Sequence, residues 1–201
     1  MIKKAYFFSI ILCSLFLSAC SSSQSENSQD AEFLSTAGDF IAAFNSNNTA
    51  ELDKYVYKEY GFFVIHNPGA YVIANYYDSF SDIMSKGEND VLKLKDAKFS
   101  CTDLRRGLEP TFSCDDEKWN KEGCFYGTQK NYMPSNVFRD MIEYELVSGD
   151  EIDPLLRKAE SSEKNYAYFI YNTNEFIGFY FGLKNGKYYL IAIDTVVPCS
   201  A

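Results

Sequence analysis

The tetrapeptide Lys184-Asn185-Gly186-Lys187 constrains this chain more than any other segment. Asn-Gly between two long apolar runs is the strongest short hairpin signal, because a type I′ turn needs positive φ at both central residues. It predicts antiparallel strands over Glu175–Leu183 and Tyr188–Val197, with a third, Tyr166–Tyr171, just upstream. Counting outward from Lys184 opposite Lys187, Phe181 faces Leu190, Phe179 faces Ala192 and Ile177 faces Asp194. The other face pairs Gly182 with Tyr189, Tyr180 with Ile191 and Gly178 with Ile193. Both faces are apolar enough to need a cover, and Tyr189 over Gly182 is the packing by which an aromatic compensates a strand glycine.

Upstream the periodicity is mostly helical. Phe33, Leu34, Ala37, Phe40, Ile41 and Phe44 fall on one helix face within Ala31–Asn45, and Asn48-Thr49 caps a short second helix through Val56. Phe62–Ile65 and Ala70–Ile73 read as strands around an Asn67-Pro68-Gly69 turn. Tyr76–Lys86 reads as a helix and Val91–Cys101 as a strand. Residues 102–133 lack a period and read as an irregular insertion, with a short strand near Thr111-Phe112. Pro134 opens a fourth helix, and Asp153-Pro154 a short fifth. The expected fold class is α+β: N-terminal helices packed on a curved antiparallel sheet, with a C-terminal hairpin and a cysteine-bearing insertion.

The first residues carry an address. Met1-Ile2-Lys3-Lys4 is a basic start, and the apolar run from Ala5 to Leu17 falls short of the roughly 20 residues that span a bilayer. Leu17-Ser18-Ala19-Cys20 closes it and resembles the lipobox of bacterial lipoproteins. That resemblance implies removal of residues 1–19, lipid attachment at Cys20 with acylation such as palmitate, and a chain held to the bacterial outer membrane, facing the periplasm, through its covalent lipid. Ser21 in place of aspartate favours the outer membrane. The polar stretch over residues 20–30 reads as a lipidated flexible tether reaching roughly 35 Å, followed by a single domain over 31–201.

Processing alters the charge and the cysteines. The full chain has 19 basic and 28 acidic side chains, and losing Lys3 and Lys4 takes the net charge from −9 to −11. Nucleic acid is excluded as a partner, because a phosphate backbone requires a clustered basic surface. With Cys13 removed and Cys20 lipidated, Cys101, Cys114, Cys124 and Cys199 remain. An even number in an exported chain reads as two disulfides, and the loop over 115–123 favours Cys114 with Cys124 and Cys101 with Cys199. Zinc is disfavoured by the wide spacings and the single histidine.

The order of elements resembles the cone-shaped α+β domains of nuclear transport factor-like and polyketide cyclase-like proteins. The resemblance lies in the paired helices over Ala31–Val56, the short strands around Asn67-Pro68-Gly69 followed by a helix, and the terminal hairpin. It implies a pocket whose mouth His66, Tyr76, Tyr77 and Asp78 would line, and it makes ligand-binding residues of His66, Tyr76, Tyr77 and Asp194. His66 is the only histidine, so any histidine mechanism runs through it, with Asp78 or Asp194 as acid/base partner. Phosphate loops, zinc-protease and nucleophile-elbow motifs are absent, and no cofactor or metal is expected. The reading is a lipoprotein that binds an envelope protein or a small apolar ligand without catalysis. The alternative is a polyketide cyclase-like acid/base enzyme using His66 with Asp78 or Asp194.

Overall fold

The computed structural model describes residues 21–86, 94, 96–101 and 103–199. The expected signal peptide (1–19), with Cys13, and the lipid site Cys20 lie outside the described residues. Two compact units, Met1–Gly38 and Asp39–Ala201, divide the chain. The boundary falls within the first helix, α1 (Ser21–Asn45). The stretch over 21–30, read as a flexible tether, is therefore helical. It contains no glycine or proline, and once a helix is nucleated each added residue gains a hydrogen bond.

The second unit is built on a seven-stranded sheet in the order β2-β1-β9-β8-β7-β6-β3. Its strands are β1 (Phe62–His66), β2 (Ile73–Tyr77), β3 (Leu104–Arg106), β6 (Cys124–Gly127), β7 (Tyr166–Asn172), β8 (Ile177–Lys184) and β9 (Lys187–Asp194). The α+β class is as expected, but the sheet is mixed: β1–β9 and β3–β6 are parallel and the other pairings antiparallel. A separate two-stranded ribbon joins β4 (Phe112–Ser113) to β5 (Lys118–Trp119). The segment read as an irregular insertion thus supplies two strands to the main sheet and a ribbon of its own.

Helices cover both faces. On one side, α4 (Pro134–Glu143) and α5 (Gly149–Glu163) bring Met133, Val137, Phe138, Ile152 and Ala159 against Phe63, Ile65, Phe169, Tyr180 and Ile191. On the other, Phe40 and Phe44 from the end of α1 pack edge-on against Phe179, and Phe40 also against Phe181 and Phe80 of α3 (Phe80–Lys86). The buried Phe and Tyr residues supply most of this packing, since such rings bury large areas in edge-to-face contacts. The short helix α2 (Thr49–Leu52) is capped by Asn48 as its sequence predicts.

Three local expectations are corrected. β2 starts at Ile73, not Ala70, because the Asn67 side chain exchanges two hydrogen bonds with the backbone of Val197 and draws the β1–β2 turn out of the ladder. Tyr76 and Tyr77 accordingly belong to β2, and the helix begins only at Phe80. The strand expected over Val91–Cys101 is absent at its described positions. There the backbone groups of Phe99 are taken by the Asn45 amide, and Ser100 N–H by Glu175, so none is left for a ladder.

All four remaining cysteines are paired, but as Cys101–Cys124 and Cys114–Cys199. Parallel pairing of Leu104 with Cys124 carries Cys101 to Cys124, while the β4–β5 ribbon already closes the 115–123 loop without a staple.

Candidate functional site

The terminal hairpin begins as predicted. Asn185 and Gly186 both have positive φ, Lys184 faces Lys187, and the Tyr189 ring lies on Gly182. Beyond Phe181↔Leu190 a bulge at Ile191 shifts the register by one, so that Tyr180 faces Ala192 and Gly178 faces Asp194. A bulge turns every later side chain to the opposite face. Asp194 is therefore not on the Ile177, Phe179 and Phe181 face but beside Tyr180, on the side that α4 and α5 cover.

A second carboxylate meets it there. Glu109 lies in the loop after β3. That loop is pinned by Gly107 N–H on Tyr126 C=O, by Lys121 Nζ on Leu108 C=O, and by paired backbone and side-chain bonds between Thr111 and Asn120. Glu109 is 9% exposed. The Tyr180 hydroxyl donates to Glu109 Oε1 at 2.5 Å and stands 3.4 Å from Asp194 Oδ2. Asp194 Oδ1 accepts from Val196 N–H at 2.8 Å. Gly178 leaves room for the Tyr171 ring, which a Cβ would meet at 2.5 Å.

A phenol has one proton, so Tyr180 satisfies one carboxylate at a time, and Glu109 Oε2 is buried with no close hydrogen bond among the described residues. Burial accordingly pushes the Glu109 carboxyl up to about 7, with the Asp194 charge adding to the rise and Tyr180, Asn131 and Lys121 opposing it. Burial likewise raises Asp194 to about 6, against the Val196 and Tyr180 hydrogen bonds. Tyr180 is raised well above an ordinary phenol by burial and by both carboxylates. Both carboxyls are thus raised toward neutrality, the range a general acid or base needs.

The residues expected around His66 separate. His66 is buried at the end of β1, and Asn75 Nδ2 donates to its Nε2 at 3.0 Å. Ile65 pairs with Asp194, so His66, the next residue, faces the opposite side of the sheet from that carboxylate. Asp78 follows Tyr77, which pairs with Phe62, four residues from His66 along β1 and hence roughly 13 Å away. Tyr76 and Tyr77 also point to opposite faces. The Tyr77 ring neighbours Phe62, whereas the Tyr76 ring neighbours Phe63, donates its hydroxyl to Asp78 and accepts from Lys158 Nζ at 2.5 Å. No acid/base pair forms between His66 and either aspartate. Glu109 was missed by sequence reading because it sits in a stretch with no period. Its one signal is a carboxylate isolated between Leu108 and Pro110.

A polar cavity of about 540 Å³ lies between α4 and the end of α5. Lys130, Asn131, Asn136, Arg139 and Lys164 line it, over a buried Glu163 that accepts from Ser135 N–H and hydroxyl and pairs with Lys130 at 3.1 Å. Arg139 pairs with Glu160 at 2.5 Å. Among the described residues no three His, Cys, Asp or Glu side chains gather to hold a metal ion, and no helix is long and apolar enough to cross a membrane.

The chain is thus an α+β protein with a helix-covered mixed sheet, two disulfides and a carboxyl pair of which Glu109 is buried and Asp194 half-buried. Comparison with known proteins returns no matching family model, no similar curated protein and no similar solved structure.

Proposed function

We propose that this chain is a lipid-anchored protein of the bacterial envelope whose body binds a small polar anion in the α4–α5 cavity and carries out no catalysis. The cavity carries this reading. Its lining has three cations against Glu160 and Glu163, a net positive patch in a chain of net charge −9. Both acids are already matched, Glu163 by Lys130 and Ser135 and Glu160 by Arg139, which leaves the Lys164 charge and the amides of Asn131 and Asn136 for a ligand. The two disulfides favour an oxidising compartment. Calorimetric titration with succinate and with inorganic phosphate tests the site: saturable binding that Lys164→Met abolishes supports it, and no heat with either anion refutes it. Mass spectrometry of Cys20 from native membranes tests the anchor, which an unmodified thiol would exclude.

Acid/base chemistry is a second reading, and its residues become Glu109 and Asp194 instead of His66 with Asp78 or Asp194. Two carboxyls on one phenol with protonation near neutral pH favour it. Glu109→Gln separates the readings, because anion affinity in the α4–α5 cavity stays within about twofold if the protein only binds.

A further inference from the structure

The β1–β2 turn and the α4–α5 connection enclose an apolar groove of about 390 Å³, lined by Pro68, Ala70, Tyr71, Met141, Leu146 and Val147. Tyr71 is 50% exposed, Tyr144 57% and Leu146 38%, and the two tyrosine rings lie 5.8 Å apart at the groove edge. Large apolar side chains that stay exposed as a group mark an interaction surface, and tyrosine is among the residues that carry most binding energy there.

The segment that contributes Met141, Leu146 and Val147 to the groove is strongly acidic. Residues 139–153 contain six carboxylates, Asp140, Glu143, Glu145, Asp150, Glu151 and Asp153, against the single base Arg139. Asp140 accepts from Tyr132 and Asp153 pairs with Arg157, whereas Glu143, Glu145, Asp150 and Glu151 are exposed and form no ion pair among the described residues. The backbone adds an independent observation. α4 ends in a Schellman motif, with Leu146 N–H on Met141 C=O and Glu145 N–H on Ile142 C=O. The residue at the left-handed position of that motif is ordinarily glycine, yet here it is Glu145, at φ 56°. Strain of this kind concentrates at functional positions, and it sets a carboxylate between the exposed Tyr144 and Leu146.

We propose that this groove docks a basic polypeptide segment of a partner protein, one in which Lys or Arg flank apolar or aromatic side chains. The apolar side chains fill the groove between Tyr71 and Leu146, and the basic ones meet the Glu143, Glu145, Asp150 and Glu151 rim. The surface lies apart from the α4–α5 cavity, so the two stand or fall separately.

Fluorescence anisotropy on the full chain tests this with three labelled synthetic peptides: one alternating Lys with Leu and Phe, the same peptide with Glu for Lys, and the same with Ser for Leu and Phe. Saturable binding is expected for the first alone. It falls at least about tenfold in Tyr71→Ser/Tyr144→Ser and several-fold in Glu143→Gln/Glu145→Gln, and it weakens with added salt. Both tyrosines are half exposed, so circular dichroism and melting of these variants should match the wild type. The proposal is overturned if the first peptide does not bind, if the Glu peptide binds equally well, or if the tyrosine substitutions change nothing. It is also overturned if those substitutions instead abolish self-association in sedimentation, or binding to phosphatidylcholine vesicles, since a second copy or a bilayer then occupies the groove.

Discussion

Replacing Glu109 with glutamine should flatten the pH dependence of stability near neutrality. The carboxyl titrates near 4.5 when exposed in the unfolded chain and near 7 when folded. The native state therefore holds its proton over a window in which the unfolded chain has released it, and stability falls as pH rises from about 4.5 to 7. At about 1.4 kcal/mol per pKa unit the full loss is roughly 3.4 kcal/mol, of which about 2.5 kcal/mol falls between pH 5 and pH 8. Glutamine keeps an oxygen for the Tyr180 hydroxyl but sets an amide N–H₂ where Glu109 Oε2 has no close hydrogen bond among the described residues, at a cost of about 1 kcal/mol at every pH. Urea unfolding with disulfides intact should find Glu109→Gln within about 0.3 kcal/mol of wild type at pH 5 and about 2.3 kcal/mol more stable at pH 8, with the two curves crossing near pH 5. Parallel curves for the two proteins would show that folding does not shift the Glu109 carboxyl, and the argument from burial would fail.

Gly178→Ala places a methyl group 2.5 Å from the Tyr171 ring on a central strand and should destabilise by about 1–3 kcal/mol, read by thermal melting. Glu145→Gly relieves a left-handed non-glycine residue and should gain about 1 kcal/mol in the same assay. Removing Cys114–Cys199 as a pair of alanines frees an 85-residue separation, against 23 for Cys101–Cys124. Loss of chain entropy makes it the costlier, at about 4.6 against about 3.4 kcal/mol; melting temperatures in the opposite order would contradict the pairing.

Local signals were read well and non-local ones were not. Asn185-Gly186 set its turn and the first pairs beyond it, and Asn48 set its cap, because each depends on a few neighbouring residues. Asp194 was assigned to the wrong face because one extra residue, Ile191, interrupts the alternation, and nothing in its side chain marks a bulge. Glu109 and the cysteine partners were illegible for a related reason. The loop that carries Glu109 reaches Tyr180 only after β3 has paired with β6, and that same parallel pairing brings Cys101 to Cys124. Spacing along the chain holds no record of such contacts. His66 and Asp194 are adjacent in register, yet the pleat sends them to opposite sides.

The parallel pairing of β1 with β9 also orders events in time. β1 and its partner β2 are made early, but their only seat in the sheet is the final strand, more than a hundred residues later. Until Lys187–Asp194 has been synthesised, Phe63 and Ile65 have no sheet to join, and the Cys114–Cys199 bond has only one of its sulfurs. Once Lys187–Asp194 is available, β1 is seated through contacts distant in sequence, which is slow.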